Sequence, residues 1–231
     1  MHVQARSRGC GVSLRRLLAA SAAGLAMACA PVVNAEPDGG VPPVSPQARA
    51  AGLVDVRSAV PDAVIDLRYT TAANFTGVAL YPPGARCLVH ESLAPGLAAA
   101  AAVLRARGSQ LVFWDCYRPH EVQVRMFEIV PDPAWVARPS EYARSHESGR
   151  SVDVTVARDG RLVDMGTDFD EFSARATAFA TDRVSPQQQA NRAVLRAAMA
   201  AGGLTVYSGE WWHFDGPGAA VPRPILDVPI A

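Results

Sequence analysis

The chain has 231 residues, with 22 basic and 22 acidic side chains and 49% hydrophobic residues, a make-up that suits one domain with a real core. All of its basic side chains are Arg and none is Lys. No basic surplus exists to hold nucleic acid or an anionic membrane surface, which excludes polyanion binding as the main activity.

Residues 1–35 read as an export signal. Arg6, Arg8, Arg15 and Arg16 precede an apolar run from Leu17 to Val33, and Val33-Asn34-Ala35 has the small-residue pattern of a cleavage site. A membrane span fits less well, because the run is Ala-rich, is broken by Pro31 and is followed by no stop-transfer pattern. Arg15-Arg16 leaves the twin-arginine route open. Ala28-Cys29 is a poor lipoprotein site, so anchoring at Cys29 is not expected. The mature chain is expected in the periplasm or outside the cell, with 18 Arg against 22 acidic residues. Its two cysteines, Cys87 and Cys116, are expected to pair in an oxidising compartment. The alternative is two buried thiols.

Residues 36–50, with Gly39-Gly40, Pro42-Pro43 and Pro46, are expected to form a flexible leader to a domain at 51–231. Val64 to Tyr69 alternates apolar and polar residues as a half-buried strand does, and Asn74 to Gly84 reads as an irregular surface segment. The Ala-rich stretch Leu93–Arg107 predicts a helix that Gly108 ends. Gln110 to Asp115 predicts a buried strand, and Pro119 opens a helix that runs to about Val130.

Ser148 and Gly149 discourage a helix, so His146 is expected on a loop feeding a strand from Ser151 to Val156. There Val152, Val154 and Val156 face one side and Asp153 and Thr155 the other. Arg158-Asp159-Gly160 predicts a hairpin turn, and Gln187 to Ala201 a helix stopped by Gly202-Gly203. Leu204–Tyr207 and Trp211–Phe214 are expected as paired strands joined at Ser208-Gly209. The expected fold class is α+β, a single domain with a central, mainly antiparallel sheet and flanking helices, with a zinc site on that sheet.

Two short segments carry the candidate chemistry. His146 and Asp153, with six residues between them, are joined by His213 with Glu210 three residues upstream of it. Two imidazoles and a carboxylate are a ligand set for catalytic zinc, which leaves its fourth position to a water. A nearby carboxylate then has a proton to take. Trp211, Trp212 and Phe214 around the second segment read as core or pocket wall, and a Glu buried among them costs several kcal/mol unless it has a partner. In a flat strand, an offset of three sends Glu210 and His213 to opposite faces, so a bulge or strong twist is required. His90 and His120 are not assigned to the metal.

The pattern His146-x-x-Gly149-x-x-x-Asp153 with Glu210-Trp211-Trp212-His213 resembles the zinc D-alanyl-D-alanine dipeptidases of the VanX type, relatives of the D,D-carboxypeptidases of peptidoglycan metabolism. The likeness covers most of the mature chain. Ile65-Asp66-Leu67-Arg68-Tyr69, Asn74-Phe75-Thr76-Gly77, Trp114 to Pro119, Met165 to Asp170 and Gln189-Ala190-Asn191-Arg192 follow in the family's order.

The resemblance implies one zinc ion per chain, held by His146, Asp153 and His213. It implies Glu210 as general acid and base, Arg118 as the stabiliser of the carbonyl oxygen as it gains charge, and Asp170 as the group that holds the substrate's ammonium. The expected function is an exported dipeptidase that hydrolyses D-Ala-D-Ala, or a related small dipeptide, from cell-wall peptide turnover. Two alternatives stay open: a D,D-carboxypeptidase or endopeptidase on longer muropeptides, and a non-catalytic zinc-carrying wall-binding protein. The family commonly has a small hydroxyl residue where this chain has Arg144, a departure at a position where contact with the substrate would alter pocket size or affinity.

Overall fold

The computed structural model describes residues 40–231, so the predicted signal and the start of the leader lie outside the described residues. The leader's last five residues form helix α1, Pro46–Ala50, capped by Ser45 Oγ accepting from Ala48 N. Ala48 is fully buried and Arg86 donates to the Pro42 and Pro43 carbonyls, so from residue 42 onward the predicted flexible leader is packed against the domain.

Strands β1, Leu53–Asp55, and β2, Val64–Ile65, follow. The predicted strand to Tyr69 is therefore cut to two residues: the chain turns at Arg68–Thr70 and buries the Tyr69 ring. β3, Leu88–His90, pairs antiparallel with β1 as a separate two-stranded sheet. Helix α2, Ala94–Arg105, ends before Gly108, which has φ +66°. β4, Ser109–Asp115, delivers Pro119 as the N-cap of α3, His120–Ile129.

β5, Ser151–Arg158, turns through Asp159 and Gly160, both at positive φ, into β6, Arg161–Leu162. This is the two-residue hairpin its sequence predicts. Helix α4, Pro186–Ala201, starts at a capping box in which Ser185 Oγ accepts from Gln188 N and Gln188 Oε1 from Ser185 N. β7, Thr205–Val206, and β8, His213–Asp215, complete the main sheet.

That sheet runs β2-β4-β5-β8-β7, with β6 beside β5. Only β2 and β4 are parallel; the other pairs are antiparallel. The fold is thus α+β with a mainly antiparallel central sheet. β5 lies at its middle and is buried on both faces from Ser151 to Ala157. Cross-strand partners share a face, so Leu111 and Phe113 of β4 join Val156 and Val154 in an apolar layer. Asp153 points the other way, beside His213 on β8.

Helices α2 and α4 pack on each other and supply Leu97, Leu104, Leu195 and Met199 to the core. Gly96 and Gly202 let them approach: a Cβ on Gly96 would stand 2.2 Å from the Gly202 carbonyl oxygen. Cys87 and Cys116 form a disulfide that closes a 29-residue loop, worth about 3–4 kcal/mol on the chain-entropy model.

Candidate metal centre and active site

His146 lies in a 3-10 turn, Ser145–Ser148, rather than in an open loop. Gly149 ends that turn in the left-handed region, φ +65°, where a Cβ would stand 2.6 Å from Leu53 Cδ2. Ser145 is also left-handed, at φ +48°. The turn sets the buried His146 ring beside β5, across from the Asp153–His213 pair.

Three donor atoms converge there. His146 Nε2 lies 3.2 Å from Asp153 Oδ1 and 3.1 Å from His213 Nδ1, and His213 Nδ1 lies 3.0 Å from Asp153 Oδ1. Ligands about 2.0–2.1 Å from a tetrahedral zinc ion sit roughly 3.3 Å from one another. The triad fits that spacing closely.

The outer atoms decide which ring nitrogens face inward. His146 Nδ1 lies 2.8 Å from the Cys116 carbonyl, and His213 Nε2 lies 3.1 Å from Asp215 Oδ1. Both oxygens accept, so those nitrogens donate outward, and His146 Nε2 and His213 Nδ1 are the ones turned toward the shared point. Ser151 also donates to Asp215. The His213 ring is pushed up to about 10: burial opposes its charge, but hydrogen bonds to Asp153 and Asp215 outweigh it. Asp153 is held well below the usual carboxylate range, burial again being outweighed, here by His146 and His213. Among the described residues, this is the group of His, Cys, Asp and Glu whose donor atoms suit one ion.

Glu210 precedes β8 rather than lying in it, which resolves the predicted conflict of faces. The chain from Ser208 to Trp212 is a turn: Glu210 N donates to the Tyr207 carbonyl, Trp211 N to Ala176 and Val154 N to Trp212. The predicted strand Trp211–Phe214 is thereby shortened at its start. Glu210 Oε2 comes within 3.9 Å of His213 Nδ1. Burial raises its carboxyl above the ordinary value and Asp153 adds to this, while His213, His146 and Arg118 oppose it.

These residues line a cavity of about 370 Å³ whose wall also includes Arg118, Asp170 and Trp212. Arg118 is buried beside Asp115: its Nε and Nη2 donate to Asp115 Oδ2 at 3.0 and 2.6 Å, and Nη1 to Gln123 Oε1 at 2.7 Å. Two of its five N–H groups remain. Asp115 is itself held by Tyr81 OH and Cys116 N. The segment expected on the surface thus buries Tyr81, whose hydroxyl helps hold the carboxylate that anchors Arg118.

Asp170, left-handed at φ +54°, accepts from Tyr69 OH at 2.7 Å. Burial drives its carboxyl well above the usual range; the Tyr69 bond and Arg118 oppose, whereas Asp153 and Glu210 add to the rise. Its loop is fastened to α4 by Arg192, 1% exposed, which donates to the Met165, Arg175 and Thr177 carbonyls. Trp211 Nε1 adds a bond to Thr167. Every site residue expected from sequence therefore reaches one cavity. His120 pairs instead with Glu147, and His90 with Arg150 and Ser92.

Sequence reasoning missed Asp215, Asp115, Tyr69 and Tyr81. Asp215 had a usable signal, since residues i and i+2 of a strand share a face. Asp115 and its tyrosine had none, because that contact spans 34 residues.

A family model described as D-Ala-D-Ala dipeptidase matches residues 49–231. The chain is 39% identical over 169 residues to a D-alanyl-D-alanine dipeptidase of Escherichia coli K12, covering 73% of this chain and 86% of that protein. It is 30% identical over 191 residues to the D-alanyl-D-alanine dipeptidase of Enterococcus faecium, covering 71% and 91%. It is also 30% identical over 186 residues to that of Streptomyces coelicolor, covering 72% and 92%. A match across nearly the whole described domain, with the candidate metal ligands inside it, shows that this chain belongs to the D-Ala-D-Ala dipeptidase family.

Proposed function

We propose that the protein is an exported, zinc-dependent dipeptidase that hydrolyses D-Ala-D-Ala, or a closely related dipeptide, from cell-wall peptide turnover. The observation that carries this reading is the convergence of His146 Nε2, Asp153 Oδ1 and His213 Nδ1 within 3.2 Å of one another, with Glu210 beside them. Two imidazole nitrogens and a carboxylate oxygen directed at one point suit a cation that displaces the proton between them, and the donor set suits zinc. When bound, zinc acts as a Lewis acid and lowers the pKa of a coordinated water toward ~7.

The chain's own groups supply the rest. Glu210 takes a proton from the attacking water as its oxygen bonds to the scissile carbon, then delivers it to the amine nitrogen as the C–N bond breaks. The two uncommitted N–H groups of Arg118 meet the carbonyl oxygen as it gains negative charge. Asp115 holds the guanidinium so that no reorganisation is needed at that moment. Asp170, costly to ionise without a counter-charge, receives the substrate's ammonium.

Arg144 also lines the cavity, and among the described residues its guanidinium makes no hydrogen bond or ion pair. As a cation in the cavity wall, it offers a partner for a dipeptide's carboxylate. Both ends of a short zwitterion then find a charge, and an acylated or longer partner leaves Asp170 without one. This favours a dipeptidase over an enzyme of long muropeptides. Export is supported by the basic and apolar pattern of residues 1–35 and by the buried disulfide.

The test is to incubate the zinc-loaded protein with D-Ala-D-Ala, L-Ala-L-Ala and a pentapeptide ending in D-Ala-D-Ala, with and without chelator. Release of alanine from the D,D-dipeptide alone, lost with chelator and restored by zinc, is expected. Equal rates on the pentapeptide would establish the carboxypeptidase reading. Stoichiometric zinc without turnover would establish the non-catalytic one.

A further inference from the structure

The acceptor that orients His146 is a backbone carbonyl, so no side chain at that position can tune it. Its placement depends on what holds Cys116. β4 ends at Asp115, where its register opposite β5 becomes irregular, and Cys116 sits where the chain leaves the sheet. Three attachments fix it: the bond to Cys87, the hydrogen bond from its own N–H to Asp115 Oδ1 at 2.9 Å, and that from Tyr117 N to the Leu88 carbonyl at 2.8 Å.

Cys87 has a firm base. Its carbonyl accepts from Val56 N at 2.9 Å, and the strand after it pairs with β1. The far end of that strand reaches the same ligand from the other side, because His90 N donates to the Gly149 carbonyl at 2.7 Å, where the His146 turn closes. Both cysteines are 1% exposed. The disulfide thus joins the small sheet to the carbonyl that sets the tautomer and orientation of a candidate metal ligand.

We infer that the Cys87–Cys116 disulfide is a positioning element of the metal centre, so that the triad reaches full affinity only in the oxidised chain. This rests on reading His146, Asp153 and His213 as a metal site. Oxidation is an exchange with a disulfide such as oxidised glutathione: the two protein thiols form one S–S bond, and their two electrons and two protons pass to the oxidant as two thiols. Metal affinity thereby becomes tied to passage into an oxidising compartment. Groups that orient a metal-bound histidine commonly contribute about 10- to 100-fold in affinity.

The experiment compares the oxidised mature chain with the double variant Cys87→Ser, Cys116→Ser, measuring zinc affinity by competition with a chromophoric chelator well below both melting temperatures. The variant is expected to bind at least about 10-fold more weakly and to show an altered visible spectrum when loaded with cobalt(II). A disulfide that only stabilises the fold would lower the melting temperature and leave affinity and spectrum alone, which overturns the inference. An oxidised wild-type chain that binds no divalent ion overturns the metal reading and this one together. Should the double variant fail to fold, the zinc-loaded wild type is treated with dithiothreitol and chelator while thiols are counted. Zinc release that follows thiol appearance supports the role; zinc retained after both thiols are titrated overturns it.

Discussion

A single carboxylate, Asp215, decides which nitrogen of His213 faces the candidate metal position, and Asp153 makes that nitrogen hold its proton firmly. With the ring's pKa pushed up to about 10, an ion entering at neutral pH must displace a proton. Zinc affinity is therefore expected to fall as the pH falls, by as much as about tenfold per unit. Zinc dissociation constants measured from pH 8 to pH 6 check this, and a flat profile contradicts it. Glu210 makes the complementary case. Replacing it with Gln keeps the size of the side chain and removes the base, so Glu210→Gln is expected to bind zinc as the wild type does and to lose about 10²- to 10⁴-fold in kcat. Paired metal analysis and steady-state kinetics separate the two effects; a variant within a few-fold of wild-type turnover would remove Glu210 from the mechanism.

The element on which the site depends most is the short turn Ser145–Ser148. Its backbone is held by Arg118 N donating to the His146 carbonyl and by Ser145 N donating to Ala219, and Gly149 closes it at a positive φ that leaves no room for a side chain. Gly149→Ala must then move Leu53 or the turn itself, at a cost of about 1–3 kcal/mol. Lower thermal stability together with weaker zinc binding is the expected outcome, read by melting curves and metal titration. Wild-type values for both would mean that the turn does not fix its histidine. The turn between β7 and β8 has a different role. By bending the chain before His213, it brings Glu210 to the ligands' side, and its hydrogen bonds to Ala176 and β5 hold that bend.

Across the molecule, what was legible in the sequence is what short-range periodicity encodes. The Ala-rich α2, the capped α4, the alternating β5 and its Asp159-Gly160 hairpin all stand close to where their residues put them, and the ligand types at their spacing pointed to one metal site. Tertiary hydrogen bonds overrode the pattern elsewhere. Val64 to Tyr69 reads as a strand, yet only two residues pair, because Tyr69 turns inward to reach Asp170. Asn74 to Gly84 reads as surface, yet Tyr81 is drawn under the sheet's end by Asp115. Glu210 and His213 looked incompatible because a flat strand was assumed where the chain bends.

The three candidate ligands come from a turn, from the central strand β5 and from β8, the last some 60 residues further along the chain. An ion that joined them would be a cross-link made by mass action, favouring the folded form because only there do all three meet. At a free concentration about a thousand times its dissociation constant, it would add about 4 kcal/mol to folding. Proteolysis of a transiently opened chain follows the population of the open form, so, under the proposed zinc binding, the survival of this protein would become a gauge of the zinc around it. Scarcity of metal then removes the enzyme itself and not only its activity.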